Sequence, residues 1–277
     1  MDQKAACVIG WPVEHSRSPL IHTYWLRQLG LAADYRREAV PPESLANFVA
    51  HLTERGYVGA NVTVPHKEAV LPLSTPDALA EAVGAANTLW FDGAVLCATN
   101  TDVEGFVASL DAAAPDWASR VQAALVLGAG GAARAITFGL LQRGLSHIHV
   151  VNRSFDRAAL MRTRFGERVV PAAWDQRDDL LAGAGMLVNT TTLGMAGQGG
   201  LDIDLSRLGS RAIVADIVYS PLITPLLADA RARGLTAVDG LGMLLHQAAG
   251  AFAHFFGTRP QVTADLRALV EADLIGI

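Results

Sequence analysis

Apolar runs of strand length alternate with segments of helical spacing from the start of the chain onward. Residues 5–10 form a continuous apolar run, and the spacing of apolar positions over 19–29 is helical. A second strand is predicted near 34–39, and a helix over 42–55 is predicted to end at the glycine that follows it. Strands separated by helices in this way predict an α/β fold.

Predicted strands and helices continue to alternate to the end of the chain, with one hairpin and one linker. Strands over 85–91 and 94–98 flank Asp92-Gly93, a residue pair that favours a two-residue hairpin turn. A helix over 103–113 follows, and Ala114-Pro115-Asp116 then marks a linker. The remaining predicted strands cover 148–151, 186–189, 213–217 and 236–238, and the remaining helices cover 224–233, 263–274 and a long segment that starts at 240.

A glycine-rich turn near the middle of the chain joins a strand to a helix. The apolar run 125–127 leads into Gly128-Ala129-Gly130-Gly131-Ala132, and an Ala-rich helical segment follows. In the dinucleotide-binding fingerprint, Gly128 would permit the tight turn, Gly130 would admit a pyrophosphate, and Ala133 would fill the third small position. The free N–H groups at the start of such a helix favour an anion.

The next strand, 148–151, ends in Asn152-Arg153-Ser154, with Arg157 close behind. An NAD-type fold places an acidic residue here to bind the ribose 2′-hydroxyl. Arginine binds phosphate through two parallel hydrogen bonds, whereas a carboxylate repels it. The sequence therefore favours NADP over NAD. The alternative is that Ser154 caps the following helix and the arginines are surface charges, and both uses can coexist.

Polar residues also follow the strands of the N-terminal part. The strand over 60–64 places Asn61 and Thr63 on one face, and Pro65 ends it and can start a short helix that carries Lys67. Lys67 either lines a pocket or is a solvated lysine at a helix start. Asp102 either caps the helix over 103–113 or pairs with Lys67, where a carboxylate would orient the lysine for proton transfer.

Ser16 and Ser18 flank an arginine in the loop before the first helix. Ser18 can cap that helix, with Pro19 in its first turn, but capping explains only one of the two serines. Two hydroxyl groups beside an arginine also suit a polyol or carboxylate ligand. Gln247, on a long uncharged helix, is expected to face a ligand or a buried partner.

Composition narrows the class of protein. A net charge of −5 and a pI near 5.9 argue against nucleic acid as a partner. We expect no signal peptide, and residues 240–258 contain two histidines, a glutamine and several glycines, so a buried helix is expected there rather than a membrane span. Cys7 and Cys97 are expected to be buried free thiols in a reducing compartment. The histidines show no metal-ligand spacing, and no metal site is expected.

Taken together, these motifs resemble the shikimate dehydrogenase family. The resemblance runs nearly end to end, and it is carried by Ser16-Arg17-Ser18-Pro19, Asn61-Val62-Thr63-Val64-Pro65-His66-Lys67, Ala86-Asn87-Thr88, Asn100-Thr101-Asp102, Gly128 to Gly131, Asn152-Arg153-Ser154, Asn189 to Met195, Asp216 to Pro221 and Gly242 to Gln247. It implies a reversible, NADP-dependent reduction of 3-dehydroshikimate to shikimate on the route to aromatic amino acids. Lys67 would exchange the proton and Asp102 would hold Lys67 in place.

The resemblance also implies a set of binding residues and a division of the chain. Shikimate would be bound by Ser16, Ser18, Thr63, Lys67, Asn87, Asp102, Tyr219 and Gln247. NADP would be bound by Gly128, Ala129, Gly130, Gly131, Ala132, Asn152, Arg153, Ser154, Arg157, Thr190, Ile217 and Gly240. A catalytic domain of 1–103 with 240–277 would enclose a Rossmann-type NADP-binding domain of 104–239, so the C-terminal helices return to the first domain.

Two alternatives and three expectations complete the interpretation. The chain could be a quinate or dual-specificity dehydrogenase of the same fold, or a non-catalytic NADP-binding regulator. The second alternative fits poorly with the presence of both Lys67 and Asp102. We expect a cytoplasmic protein, a monomer or homodimer, and neither a nucleic-acid nor a membrane partner.

Overall fold

A computed structural model describes residues 4–276, which divide into two compact units. The first unit contains residues 4–105 and 244–270, and the second contains 106–243 and 271–276. Each unit has its own α/β core, and each is built around one six-stranded sheet.

The sheet of the first unit is mixed, with the strand order β2-β1-β3-β5-β6-β4. Its strands and the helices that the chain forms alongside them are β1 (Lys4–Gly10), α1 (Ser18–Gln28), β2 (Ala33–Ala39), α2 (Leu45–Ala50), β3 (Tyr57–Val62), β4 (Thr75–Pro76), α3 (Ala78–Val83), β5 (Thr88–Asp92), β6 (Val95–Thr99) and α4 (Asp102–Ala113). The chain forms α4 across the boundary between the two units. The hairpin predicted at Asp92-Gly93 joins β5 to β6, and Gly93 has the positive φ of 60° that such a turn needs.

Strand direction in this sheet brings the ends of several strands to one edge. Strand β1 is parallel to β3, β3 is antiparallel to β5, and β5 is antiparallel to β6. The carboxyl ends of β1, β3 and β6 and the amino end of β5 therefore meet at the same edge. The segments that carry Ser16 and Ser18, Thr63 and Lys67, Asp102, and Asn87 all adjoin that edge.

The sheet of the second unit is parallel throughout, with the order β12-β11-β10-β7-β8-β9. Its elements are α5 (Trp117–Arg120), β7 (Ala123–Leu127), α6 (Gly131–Gln142), β8 (His147–Asn152), α7 (Phe155–Phe165), β9 (Val169–Ala173), α8 (Arg177–Leu180), β10 (Met186–Asn189), β11 (Ile213–Asp216), α9 (Pro225–Ala232) and β12 (Thr236–Val238). Counted from β7, this is the strand order 3-2-1-4-5-6 of a Rossmann fold, whose ligand crevice lies where the order reverses. That point lies between β7 and β10.

Two long helices complete the chain, α10 (Gly240–Phe256) and α11 (Ala264–Ile275). Most of α10 and the first part of α11 belong to the first unit, so the chain returns to that unit after the second sheet. The α10 residues Ala248, Ala251 and Phe252 are fully buried, which explains the uncharged sequence of this helix. In the described part of the chain, no helix is long and apolar enough to cross a membrane.

Several predicted boundaries are wrong, and local hydrogen bonds explain two of them. The helix predicted over 42–55 is a 3-10 turn (Pro42–Ser44) followed by the short helix α2, which ends at Ala50. At the next residue, His51, the side-chain Nδ1 lies 2.8 Å from the carbonyl oxygen of Asn47. Lys67 lies in a turn and not in a helix. Its carbonyl oxygen accepts a hydrogen bond from the N–H of Ala86, a residue distant in sequence, and not from an N–H one helical turn further on.

The two cysteines differ in burial. Cys7 is fully buried in β1, as expected, whereas Cys97 is only half-buried in β6, so the expectation of burial is wrong for the second thiol. Burial is the main reason that the pKa of Cys7 lies well above its usual value. Both cysteines are free thiols.

Candidate active site

Lys67 and Asp102 form an ion pair in the first unit. Lys67 Nζ lies 2.6 Å from Asp102 Oδ2, and the two side chains are only 14% and 4% exposed. Lys67 follows β3 and Asp102 is the first residue of α4, directly after β6, so the shared edge of the sheet explains why they meet. Asp102 is thus the partner of Lys67 that the sequence suggested. A carboxylate this close restricts the orientation of the lysine side chain.

Asn87 holds the other oxygen of the Asp102 carboxylate. Its side-chain Nδ2 donates to Asp102 Oδ1 at 2.9 Å, and it lies 3.3 Å from Gln247 Oε1. The N–H of Thr101 donates to Asn87 Oδ1 at 2.8 Å. Because a backbone N–H is only a donor, this bond fixes which end of the amide faces Asp102.

Gln247 is the polar residue that the sequence placed on the uncharged helix. It is 8% exposed, its Nε2 donates to the carbonyl oxygen of Leu244 at 2.9 Å, and its Oε1 accepts from Asn87. The helix α10 therefore contributes a side-chain amide to the cluster that contains Lys67 and Asp102. The buried partner expected for Gln247 is Asn87.

The two serines lie at the start of α1, and Ser18 does not cap this helix, so the capping alternative for Ser18 is wrong. Arg17 occupies the N-cap position without a side-chain capping bond, and Ser18 is already the first helical residue. Ser16 Oγ accepts from the N–H of Ser18 at 3.3 Å and donates to Ser18 Oγ at 3.2 Å. The hydroxyl groups are thus in contact with each other. The carbonyl oxygen of Ser16 is held by the Arg37 guanidinium.

Thr63 and Tyr219 complete the predicted substrate set. Thr63 is half-buried and comes directly after β3, where its N–H donates to the carbonyl oxygen of Ile9 at 2.9 Å. Tyr219 is half-buried in the loop after β11 and belongs to the second unit.

The glycine loop of the second unit has the geometry that the fingerprint requires. Gly128 has a φ of +108°, and a Cβ there would lie 2.4 Å from the Thr190 hydroxyl oxygen. A Cβ on Gly130 would meet nothing within 4 Å, so the space above this residue is open. Thr190 Oγ1 donates to the carbonyl oxygen of Leu127 at 2.6 Å, which joins the loops after β7 and β10 at the point of strand-order reversal. These residues suit a dinucleotide pyrophosphate.

The basic end of β8 lies beside this loop. The Arg157 guanidinium donates to the carbonyl oxygen of Ala129 at 3.2 and 3.4 Å. Asn152 Nδ2 donates to the carbonyl oxygen of Ser154, and Arg153 is exposed. Ser154 is the N-cap residue of α7, but its hydroxyl makes no capping hydrogen bond to the helix backbone. These groups fit a 2′-phosphate.

A buried carboxylate organises the loops after β10 and β11. Asp216 accepts from Asn189 Nδ2 at 3.0 Å, from the N–H of Val218 at 3.0 Å and from Thr224 Oγ1 at 2.7 Å. Burial raises the pKa of Asp216 to about 6, and the three hydrogen bonds oppose that rise. Ile217 follows Asp216, and a Cβ on Gly240 would lie 2.3 Å from the Ile217 carbonyl oxygen, so only glycine fits at position 240 without a shift of the backbone.

Residues outside the predicted set also support the first-unit cluster. Thr101 fixes Asn87, and Asn100 Oδ1 accepts from the N–H of Asp102 at 3.1 Å, a role that resembles helix capping. Both residues belong to the motif Asn100-Thr101-Asp102, which is part of the family resemblance seen in the sequence. His66 Nε2 lies 2.7 Å from the carbonyl oxygen of Val40 and anchors the turn before Lys67. Within residues 4–276, no group of three His, Cys, Asp or Glu side chains could hold a metal ion.

A Rossmann sheet with an open glycine loop, and a second α/β unit with a buried lysine–carboxylate pair, define the class of dinucleotide-dependent dehydrogenases. Three family models match the chain: the shikimate dehydrogenase substrate binding domain over residues 8–89, the shikimate / quinate 5-dehydrogenase over 113–196, and the shikimate 5'-dehydrogenase C-terminal domain over 240–270. The chain belongs to the shikimate dehydrogenase family, whose members are oxidoreductases that act on a CH–OH group.

Known proteins resemble the chain over almost its whole length. A shikimate dehydrogenase (NADP(+)) of Rhodopseudomonas palustris (strain TIE-1) is 62% identical over 272 residues, which is 98% of each chain. Shikimate 5-dehydrogenase of Thermus thermophilus, solved with NADP(H) and shikimate, is 33% identical with a TM-score of 0.85 and 99% coverage of both chains. Quinate dehydrogenase of Corynebacterium glutamicum, solved with NAD, is 31% identical with a TM-score of 0.87, over 97% of this chain and 98% of that one.

Proposed function

We propose that the protein catalyses the reversible NADPH-dependent reduction of 3-dehydroshikimate to shikimate, a step on the route to aromatic amino acids. The observation that carries this proposal is the ion pair of Lys67 and Asp102 at 2.6 Å, held from the other side by Asn87. The names of the close relatives, shikimate dehydrogenase (NADP(+)), support the choice of substrate and cofactor.

Reduction of a carbonyl group adds a hydride to carbon and a proton to oxygen. NADPH, when bound, supplies the hydride. Lys67 donates the proton from Nζ to the reacting oxygen, and in the reverse direction Nζ accepts it from the shikimate hydroxyl. Asp102 orients the ammonium group, and Asn87 keeps the carboxylate in one orientation. Preorganisation of this kind lowers the barrier because the proton donor is aligned before the substrate reacts.

The first unit is the substrate-binding domain in this proposal. A polyol acid needs both donors and acceptors, and the side chains at the shared edge of the sheet supply hydroxyl, amide and charged groups. The substrate-binding residues of this unit are Ser16, Ser18, Thr63, Lys67, Asn87, Asp102 and Gln247.

The second unit is the NADP-binding domain. The loop from Gly128 to Ala132 takes the pyrophosphate, because its backbone is open above Gly130 and it leads directly into α6. The 2′-phosphate is bound by Asn152, Arg153, Ser154 and Arg157. Thr190, Ile217 and Gly240 line the same cofactor through the loops that follow β10, β11 and β12.

The quinate alternative has support of its own, because the chain also resembles a quinate dehydrogenase solved with NAD. NADPH formation by the purified protein with shikimate and NADP, against quinate and NAD in every pairing, decides between them. We expect turnover with shikimate and NADP. A higher kcat/KM with quinate would overturn the proposed substrate, and equal efficiency with NAD would overturn the proposed cofactor.

The composition of the chain gives a clean test of the role of Lys67. Lys67 and Lys4 are the only lysines among the 277 residues. We expect Lys67→Met to abolish turnover while it leaves NADP affinity largely unchanged, and Lys4→Met to retain turnover. Full activity of Lys67→Met would refute the mechanism. A folded wild-type protein that binds NADP but turns over none of the substrates would instead be a regulator.

Two expectations about the setting of the enzyme belong to the same proposal. The free thiols Cys7 and Cys97 suit the reducing cytoplasm. A monomer or a homodimer is proposed, and sedimentation of the purified protein measures which of the two is present.

A further inference from the structure

The buried hydroxyl group of Tyr35 contacts the network behind the candidate active site. Tyr35 lies on β2, next to β1, and its Oη donates to Asn61 Oδ1 on β3 at 2.6 Å. Ser18 lies within hydrogen-bonding reach of the same hydroxyl. Tyr35 and Asn61 are both buried. Burial is the main cause that raises the pKa of Tyr35, so the hydroxyl keeps its proton and remains a donor.

The donor role of Tyr35 fixes the direction of the hydrogen bonds that follow. Because Asn61 Oδ1 accepts the phenolic proton, Asn61 Nδ2 faces the carbonyl oxygen of Asn87 and Thr88 Oγ1, each at 3.2 Å. Thr88 Oγ1 accepts there and donates its own proton to Asn87 Oδ1 at 3.0 Å. The same Asn87 amide donates to Asp102 Oδ1. The donors therefore point in one direction from Tyr35 to the carboxylate.

We propose that Tyr35 is a positioning residue: through Asn61 and Thr88, its hydroxyl reinforces the orientation of the Asn87 amide, which the Thr101 N–H also holds, and so helps to keep Asp102 against Lys67. This inference rests on the proposed function for its kinetic test. Tyr35 acts through other side chains, so its loss lowers kcat more than it changes the affinity for NADP. Hydrogen bonds in a buried network support one another, which makes a distant donor effective.

Substitution by phenylalanine isolates the hydroxyl group. The Tyr35 ring stacks on His22 at a centroid distance of 3.9 Å and an angle of 9°, and phenylalanine retains that stack. Tyr57→Phe is the matched control, since Tyr57 is a buried tyrosine of the same sheet whose hydroxyl donates to Glu38, away from the Asn87 network. Thr88→Val keeps the side-chain shape and removes the next hydroxyl of the proposed path.

The experiment measures kcat with shikimate and NADP for the wild type, Tyr35→Phe, Thr88→Val, the double variant and Tyr57→Phe. We expect a roughly tenfold lower kcat for Tyr35→Phe, the size of one lost buried hydrogen bond, and no change for Tyr57→Phe. The double variant should be no slower than the slower single variant, because both substitutions interrupt one path. A wild-type kcat for Tyr35→Phe, or losses that multiply in the double variant, would overturn the proposal.

A spectroscopic measurement separates this proposal from the proposed reaction. The side-chain amide protons of Asn87 report its hydrogen bonds by NMR and need no turnover. We expect their signals to shift in Tyr35→Phe and to stay unchanged in Tyr57→Phe. If the wild type turns over neither shikimate nor quinate, the proposed function fails, and the Asn87 signals alone decide the role of Tyr35. Unshifted Asn87 signals in Tyr35→Phe contradict that role.

Discussion

Asn87 and Lys67 bind opposite oxygens of one carboxylate. Lys67 Nζ donates to Asp102 Oδ2 at 2.6 Å, while Asn87 Nδ2 donates to Asp102 Oδ1 at 2.9 Å. With both oxygens held, Asp102 cannot rotate without the loss of a hydrogen bond in a buried environment, which is costly. The lysine ammonium therefore has one preferred position, as a proton donor in the proposed reaction requires.

The substitution Asp102→Asn tests the charge of this carboxylate while it keeps the side-chain shape. The neutral amide cannot form an ion pair with Lys67. One end of the amide must also present a donor to Lys67 or Asn87, both of which are themselves donors. We expect kcat with shikimate to fall by about 100-fold or more, the usual contribution of positioned proton transfer. Steady-state kinetics at saturating NADP measures the loss.

Glu104→Gln is the control for Asp102→Asn. Glu104 lies two residues further along the same helix and pairs with Arg259 on the surface, where an ion pair contributes little. We expect this variant to keep its kcat. If Asp102→Asn retains the wild-type kcat, Asp102 does not orient Lys67 in the reaction.

Much of the fold could be predicted because apolar strands and glycine turns are local signals. The boundaries of β10 and β12 agree with the prediction, and the α/β class and the Rossmann-type second unit are confirmed. The strand β9 (Val169–Ala173) escaped prediction because polar residues surround a short run that contains a proline. The two-residue strand β4 (Thr75–Pro76) is too short for any periodicity.

The cluster around Lys67 was predictable only in part. Lys67, Asp102 and Asn87 stand in short motifs after or before strands, where polar residues interrupt apolar patterns. Tyr35 has no such signal, because a tyrosine in a strand is ordinary core. Its contact with Asn61 depends on the order of β2, β1 and β3 in the sheet, and strand order is a property of the whole unit.

The arginines at the end of β8 should determine cofactor preference. We expect the double substitution Arg153→Ala with Arg157→Ala to lower kcat/KM for NADP by about 10- to 100-fold, because charge-assisted bonds to the 2′-phosphate are lost. Activity with NAD should change little, since NAD lacks that phosphate. Arg162→Ala is the control, because Arg162 lies on α7, as Arg157 does, but pairs with Glu167. An equal loss with both cofactors would refute the assignment.

Two glycines of the second unit should respond differently to alanine. A Cβ at Gly240 would lie 2.3 Å from the Ile217 carbonyl oxygen, whereas a Cβ at Gly130 would meet nothing within 4 Å. Gly240→Ala should therefore destabilise the protein by about 1–3 kcal/mol, as overpacking does. Gly130→Ala should leave the unfolding free energy unchanged but weaken NADP binding, because its methyl group occupies the space of the pyrophosphate.

Chemical denaturation and NADP titration measure the two effects separately. Gly183→Ala is the control for both, since a Cβ there also meets nothing within 4 Å and Gly183 lies outside the glycine loop. Unchanged NADP affinity in Gly130→Ala would contradict the placement of the pyrophosphate. Unchanged stability in Gly240→Ala would mean that the segment around Ile217 shifts at no cost.

His22 should make the stability of the first unit depend on pH. The ring is fully buried against Tyr35, Trp25 and Phe252, and neither ring nitrogen has a hydrogen-bond partner among residues 4–276. Burial lowers the pKa of His22 to about 3, against roughly 6.5 for an unperturbed histidine. Between these values the unfolded chain binds a proton that the folded chain does not. Stability is therefore fully present above about pH 6.5 and is lost as the pH falls, by about 1.4 kcal/mol for each unit, until about pH 3.

The variant His22→Phe isolates this contribution, because it lacks the titrating ring. The comparison uses the change in stability with pH, so the stability of the variant at neutral pH does not matter. Hydrogen exchange of the β1 amides at pH 7 and pH 5.5 reports the opening free energy of the first unit. The measurement must be confined to the first unit, because the second unit responds to pH in the opposite direction. Burial raises the pKa of Asp216 in the second unit to about 6, so that unit gains stability as the pH falls. We expect the wild type to lose about 1.4 kcal/mol relative to His22→Phe over this interval. An equal response of the two proteins would show that His22 gains its proton without opening of the fold.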